Sequence, residues 1–264
     1  MLDALDHFDA IAAGLDRRPP VFFFDYDGTL TPIVASPDAA ELAPTMRDRL
    51  RRLAQRFDVA VISGRDLQDV RRRISIDGLF YAGSHGFDIA GPGKRLEQPE
   101  AQSFLPALKR AEAALLDRLG AVPGIKLERK HFSCALHYRN VAPGELPEIE
   151  KTVSEIADEQ GLRLTKGKKV WELQPPIAWD KGRALLWLQD ALEIEVTEVT
   201  PFYLGDDITD EDAFRALPDH GVRILIGEHE GSTLADYHLE NPDGVGRLID
   251  RILGDFPIEL PHRG

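Results

Sequence analysis

The stretch Val21-Phe22-Phe23-Phe24-Asp25-Tyr26-Asp27-Gly28-Thr29-Leu30 restricts the fold more than any other part of the chain. Four apolar residues followed at once by two carboxylates and a glycine read as a strand buried on both faces that opens into a polar site. Side chains alternate along a strand, so Asp25 and Asp27 fall on one side, close enough to share a cation, and Gly28 lets the backbone turn away. Two carboxylates so placed repel without a counter-charge, and oxygen-only ligands favour a hard divalent ion, Mg²⁺. A calcium loop of the EF-hand kind needs a further acid or amide before its glycine, whereas Gly28 stands fourth from Asp25.

Strand and helix then alternate. A short amphipathic helix is expected within 2–15, a helix at 45–55, strand 59–62 ending in Ser63-Gly64-Arg65, helix 66–73, and strand 79–82 ending in Gly83-Ser84-His85-Gly86. The pattern resumes after 176 with helix 180–192, strand 202–204 ending in Gly205-Asp206-Asp207, helix 210–217, strand 222–226, a short strand at 237–239 and a helix over 245–253. Such alternation predicts an α/β fold, a Rossmann-like core with a parallel sheet whose ligands bind at the carboxyl ends of the strands.

Between the two runs the pattern changes. A helix with apolar Leu108, Ala111, Leu115 and Leu119 precedes strands 125–132 and 133–138; a second helix with Leu146, Ile149, Val153 and Ile156 precedes strands 162–165 and 170–173. Helix-strand-strand twice predicts an inserted α+β cap (αββ-αββ), a four-stranded antiparallel sheet backed by two helices, over 105–175, with the core formed by 1–104 and 176–264. The insert holds twelve Lys/Arg and ten Asp/Glu, a balance of +2 in a chain whose net charge is −13. The imbalance suggests a separate task for it, and an inserted unit of this kind can act as a lid.

Phosphoryl transfer needs a nucleophile, an acid for the leaving oxygen, a cation, and donors for the non-bridging oxygens. Asp25 is the candidate nucleophile, Asp27 the general acid/base and Ser63 a hydroxyl donor. Lys181, opening a helix, offers a cation, and Asp206 a further carboxylate. Taken singly, each has a plainer reading: Ser63-Gly64 as an ordinary turn, Lys181 as a solvated helix-start lysine, Asp210 as a helix cap. Their order, each at a strand or helix boundary, resembles the four motifs of the haloacid-dehalogenase superfamily of phosphotransferases, Asp25-x-Asp27-Gly28-Thr29 first, with Asp206 and Asp210 in the fourth. The resemblance implies Lys181 as the cation that neutralises nucleophile and phosphate, and Asp206 as a metal ligand beside Asp25 and the Asp27 carbonyl.

An insert that falls after Ser63 is similar to that of the sugar-phosphatase branch of the superfamily. Within it the chain resembles the trehalose-6-phosphate phosphatases over nearly its whole length. The matching stretches include Glu128-Arg129-Lys130, His137-Tyr138-Arg139 and Lys168-Lys169-Val170-Trp171-Glu172. The resemblance implies an aspartyl-phosphate route on trehalose 6-phosphate, with Glu128, Lys130, Arg139, Lys168 and Glu172 contacting the sugar or its phosphate from the cap. It also implies Gly64, Arg65 and His85 as substrate-binding residues, and functional pairing with a trehalose-6-phosphate synthase. Strand alternation puts Glu128 and Lys130 on one face, where cations and carboxylate can converge on a polyhydroxylated ligand; an ion-pair ladder across the sheet is the alternative. Other sugar phosphates, such as sucrose 6-phosphate or mannosyl-3-phosphoglycerate, and a non-catalytic sugar-phosphate sensor are the competing readings.

The acidic balance argues against a nucleic-acid or anionic-membrane partner. No apolar run reaches the roughly 18 residues of a membrane span, and the acidic start of the chain lacks the basic residues of a secretory signal, so the cytoplasm is the expected location. The single cysteine, Cys134, excludes an intrachain disulfide.

Overall fold

The computed structural model describes residues 1–15, 18–34, 39–167, 169–228 and 231–256. Its strands are β1 (Leu2–Asp3), β2 (Pro20–Phe24), β3 (Val59–Ile62), β4 (Phe80–Gly83), β5 (Asp88–Gly91), β6 (Lys94–Glu97), β7 (Lys126–Arg129), β8 (Cys134–His137), β9 (Arg163–Gly167), β10 (Val170–Gln174), β11 (Thr200–Gly205), β12 (Val222–Ile226) and β13 (Tyr237–Leu239). The helices are α1 (Phe8–Leu15), α2 (Pro44–Ala54), α3 (Leu67–Ile74), α4 (Pro99–Gln102), α5 (Leu105–Leu119), α6 (Leu146–Gln160), α7 (Lys181–Ala191), α8 (Asp210–Ala216) and α9 (Pro242–Asp255). The chain divides into two compact units: Met1–Leu96 with Trp179–Gly264, and the intervening Glu97–Ala178.

The larger unit is an α/β fold around a sheet of order β1-β13-β12-β11-β2-β3-β4-β5-β6. Pairing is parallel from β1 through to β4, and β5 runs antiparallel to β4. Two differences from the sequence reading have local causes. Leu2–Asp3 pairs with Tyr237–His238 as an edge strand, and the helix begins only at Phe8, because Asp3 accepts from the N–H groups of Leu5 and Asp6 in a turn. The short strands β5 and β6, joined through Gly91-Pro92-Gly93, extend the sheet beyond the last parallel strand.

Strand β2 lies between β11 and β3, where the chain order reverses direction across the sheet, the place at which such folds open a crevice at their strand ends. Its alternation divides the interior. Phe22 and Phe24 enter one apolar cluster with residues of α1, α2, α3 and α9; Val21 and Phe23 enter the other with residues of α7 and α8. Fully burying a side chain of this size contributes about 1.5–3 kcal/mol, so one apolar pentapeptide ties both helical layers to the sheet.

In the smaller unit, antiparallel β7-β8-β10-β9 form a four-stranded sheet. Leu108, Ala111, Leu115 and Leu119 of α5 and Ile149, Val153 and Ile156 of α6 pack with Cys134, Leu136, Trp171 and Leu173 in one core. Period two then sends Glu128, His137 and Glu172 to the opposite, polar face of the sheet.

Candidate active site

After Phe24 the strand alternation turns Asp25 toward the layer of α7 and α8, and the Asp25 N–H donates to the Leu204 carbonyl at 2.9 Å, extending the pairing of β2 with β11. Asp25 is only 5 % exposed. Lys181, the first residue of α7, meets it there. The Asp180 carboxylate caps that helix by accepting from the Arg183 N–H at 2.8 Å, which fixes where Lys181 enters. Lys181 Nζ lies 2.9 Å from Asp25 Oδ1 and 2.7 Å from Asp210 Oδ1. Tyr203, the polar residue facing this layer from β11, donates its hydroxyl to the same Asp210 oxygen at 2.6 Å. The other Asp210 oxygen accepts from the N–H groups of Asp206 and Asp207, at 3.1 and 3.0 Å. Asp210 is thus a buried brace that holds the 205–210 loop and Lys181 together.

Asp206 follows the end of β11, and a Cβ at Gly28, whose φ is +83°, would overlap its carboxylate. Glycine at 28 therefore both permits the left-handed turn and makes room for Asp206. Carboxylate oxygens of Asp25, Asp206 and Asp210 lie within 4.8 Å of one another, the group among the described residues able to hold one ion. The carboxylate of Asp27, expected to share a cation with that of Asp25, is not in this group; the group contains Asp210, read from the sequence both as part of the fourth motif and as a helix cap.

Electrostatics agree with a cation site. Burial, with Asp210, Asp206 and Asp27 adding to it and Lys181 opposing it, holds the Asp25 carboxyl well above the usual carboxylate range. Burial and the neighbouring Asp210 push Asp206 up to about 7. Burial works against the charge on Lys181, but Asp210 and Asp25 outweigh it and raise its pKa. With all three carboxylates ionised, one ammonium leaves two negative charges unbalanced, which a hard divalent cation would neutralise. The donor set fits such an ion, and it would supply charge neutralisation for Asp25 and a phosphate oxygen.

Asp27 is instead gripped by Arg65: Nε and Nη2 donate to Oδ2 and Oδ1, each at 2.7 Å. Ser63 follows β3 directly, its side chain buried and its hydroxyl accepting from the Arg65 N–H at 3.2 Å. The Ser63 carbonyl accepts from the His85 N–H at 2.9 Å. Gly64 lies under the His85 ring, where a Cβ would meet the imidazole at 2.7 Å. Ser84, His85 and Gly86 all have positive φ, of 50, 56 and 96°, and left-handed backbone in two consecutive non-glycine residues is strain of the kind that collects at functional loops.

In the smaller unit, Glu128 Oε2 pairs with His137 Nε2 at 2.8 Å, and that hydrogen bond, against burial, holds the Glu128 carboxyl below its ordinary range. Lys130 Nζ lies 2.9 Å from Glu172 Oε1, which also accepts from the Ser133 hydroxyl. Glu128, Lys130 and Glu172 are therefore brought together on the polar face. Arg139 is exposed and lies in the turn two residues past the end of β8, and Lys168 lies outside the described residues. Sequence reasoning missed Tyr203 and Ser133; a lone phenol in the apolar run Phe202-Tyr203-Leu204 was the available signal for the first.

The trehalose-phosphatase family model matches residues 23–243. A trehalose-phosphate phosphatase of Mycobacterium tuberculosis is 44% identical over 247 residues, covering 92% of this chain and 63% of that protein. The chain therefore spans somewhat under two thirds of the length of these curated relatives. Among solved structures, a trehalose-6-phosphate phosphatase related protein superposes with a TM-score of 0.78 at 26% identity, covering 88% of this chain and 96% of the other. A haloacid dehalogenase-like hydrolase of Bacteroides thetaiotaomicron has the same fold, with a TM-score of 0.62 at 19% identity over 89% of this chain and 99% of that one. The match begins inside β2 and ends inside α9, so it takes in the strand ends that supply Asp25, Ser63 and Asp206 and the helix start that supplies Lys181, and with that coverage the chain belongs to the trehalose-phosphatase family.

Proposed function

We propose that this chain is a Mg²⁺-dependent phosphatase that hydrolyses trehalose 6-phosphate to trehalose and phosphate. The observation that carries the reading is the buried Asp25, ion-paired to Lys181 and grouped with two further carboxylates at the end of the central strand. Asp25 attacks phosphorus and forms an aspartyl phosphate while the bond to the sugar oxygen breaks and Asp27 gives that oxygen a proton. Asp27 then takes a proton from the water that attacks phosphorus, and Asp25 leaves as carboxylate. Lys181 holds the nucleophile in place and neutralises it, and Ser63 donates to a phosphate oxygen. Asp25, Asp206 and the Asp27 carbonyl would hold Mg²⁺, which would neutralise charge on the nucleophile and on a phosphate oxygen.

The smaller unit, as a specificity cap, reads the disaccharide through Glu128, Lys130, Arg139, Lys168 and Glu172, and Gly64 and His85 line the phosphate side. The name of the mycobacterial relative, a trehalose-phosphate phosphatase, supports the choice of sugar. In this reading the enzyme works in the cytoplasm on the product of a trehalose-6-phosphate synthase. Phosphate release from trehalose 6-phosphate, sucrose 6-phosphate and mannosyl-3-phosphoglycerate, with chelator and with Mg²⁺, tests it. A higher kcat/KM on either rival sugar replaces the substrate assignment, and binding without release makes the chain a sensor.

A further inference from the structure

We infer that Arg65 is a positioning residue for Asp27, holding the plane of the carboxylate that exchanges protons with the leaving oxygen and with water. The inference rests on the phosphatase reading above. The resemblance places Arg65 against substrate, but three of its donor bonds go to protein carboxylates: two to Asp27 at 2.7 Å and Nη1 to Asp69 Oδ2 at 2.9 Å. Its side chain is 10 % exposed, whereas that of Asp27 is 44 % exposed.

Arg65 is itself held firmly. Its guanidinium carbon sits 5.4 Å from the ring centroid of buried Tyr26. Asp69 also accepts from Arg73 Nε at 2.7 Å and from Arg72, and Arg73 in turn donates to the Ala40 carbonyl at 2.9 Å, as does the Tyr26 hydroxyl at 3.1 Å. The chain of contacts therefore runs from the body of α3 and a buried tyrosine to one oxygen pair. Each carboxylate oxygen has two lone pairs, and the two-point grip uses one on each. With 44 % of its side chain exposed, the Asp27 carboxylate stays accessible, its plane fixed, for the proton that it donates and recovers. A lysine keeps the charge but, as a point donor, cannot fix that plane.

The test uses phenyl phosphate and 4-nitrophenyl phosphate, esters of nearly equal size that differ in how much the leaving oxygen needs a proton. General acid catalysis typically contributes about 10²–10⁴-fold, so Arg65→Lys should lose about ten- to a hundredfold in kcat/KM on phenyl phosphate and less than about threefold on the nitrophenyl ester. In an Asp27→Asn background the same substitution should cost less than about twofold on phenyl phosphate, because residues acting as a unit are not additive. Equal losses on both esters, or additive losses in the double variant, overturn the proposal. If Arg65→Lys does not fold, Asp69→Asn, which frees Nη1, must show the same selective loss in smaller measure, and an unselective loss again overturns it. A wild-type enzyme that cleaves neither ester nor trehalose 6-phosphate refutes the phosphatase reading instead, and the inference falls with it.

Discussion

Stripped of divalent cations, this protein should become less stable as pH rises from 5 to 7.5, the reverse of ordinary acid denaturation. Burial and Asp210 raise Asp206 from 3.8 to about 7. Between those values the folded state keeps a proton that the unfolded chain has released, so the stability it contributes is complete below 3.8 and is lost as pH approaches 7. At 1.36 kcal/mol for each tenfold change, and with the slope easing as pH nears 7, the part lost between pH 5 and 7 is about 2–3 kcal/mol, with buried Asp25 acting in the same direction. Asp69 and Glu128 are shifted the other way: hydrogen bonds to Arg73 and Arg65 outweigh burial in lowering Asp69, and the bond to His137 lowers Glu128. Stability from those two is lost only as pH falls through their lowered values, below the window chosen. For a domain the size of the larger unit, about 2–4 °C per kcal/mol gives a fall in Tm of roughly 5–10 °C. Thermal unfolding followed by circular dichroism in excess chelator measures it. Asp206→Asn should at least halve the slope, and Mg²⁺ at pH 7.5 should restore the lost Tm. A chelated wild-type Tm that is level or rises between pH 5 and 7 refutes the charge balance argued for this site.

Asp25→Asn should retain the fold and lose phosphate release by at least about 10³-fold, since a neutral amide cannot form the covalent intermediate; a purified, folded variant with a tenth of wild-type rate would falsify the nucleophile assignment. Lys181→Met leaves Asp25 and Asp210 buried without their cation and should cost about 3–5 kcal/mol in urea unfolding, with both trehalose 6-phosphate and aryl phosphate hydrolysis depressed alike. Single Ala variants of Glu128, Arg139 and Glu172 should lose roughly ten- to a hundredfold in kcat/KM on trehalose 6-phosphate and far less on an aryl phosphate; equal losses on both would remove the smaller unit from sugar selection.

What was legible in the chain followed from period. Val21 to Phe24 read as a strand buried on both faces, and the apolar stripes of α5 and α6 asked for a sheet to cover them, so spacing pointed to a parallel α/β sheet and to a four-stranded antiparallel one. The first turn of the chain could not be read that way: Leu5, Phe8, Ala12 and Leu15 carry a helical spacing, but Asp3 captures the N–H groups of Leu5 and Asp6, a local competition that spacing does not report. Short β5 and β6 have too few residues to show a period at all.

The candidate site divides along the same line. Asp25, Lys181 and Asp206 stand at element boundaries, and a boundary is visible in sequence. Asp210 stands at one too, which is why it reads as a cap, but its oxygens turn backward to the N–H groups of Asp206 and Asp207 and across to Tyr203 and Lys181. A carboxylate that closes a loop and one that opens a helix look identical in one dimension. The same holds for Asp27. Strand alternation placed it beside Asp25, yet the pairing of β2 with β11 reaches no further than Asp25, so alternation had ended before Asp27, and a guanidinium 38 residues away claims both of its oxygens. Where regular structure stops, the partner of a charged group is chosen by hydrogen-bond geometry, and for Asp27 that geometry is set by Tyr26, Asp69 and α3.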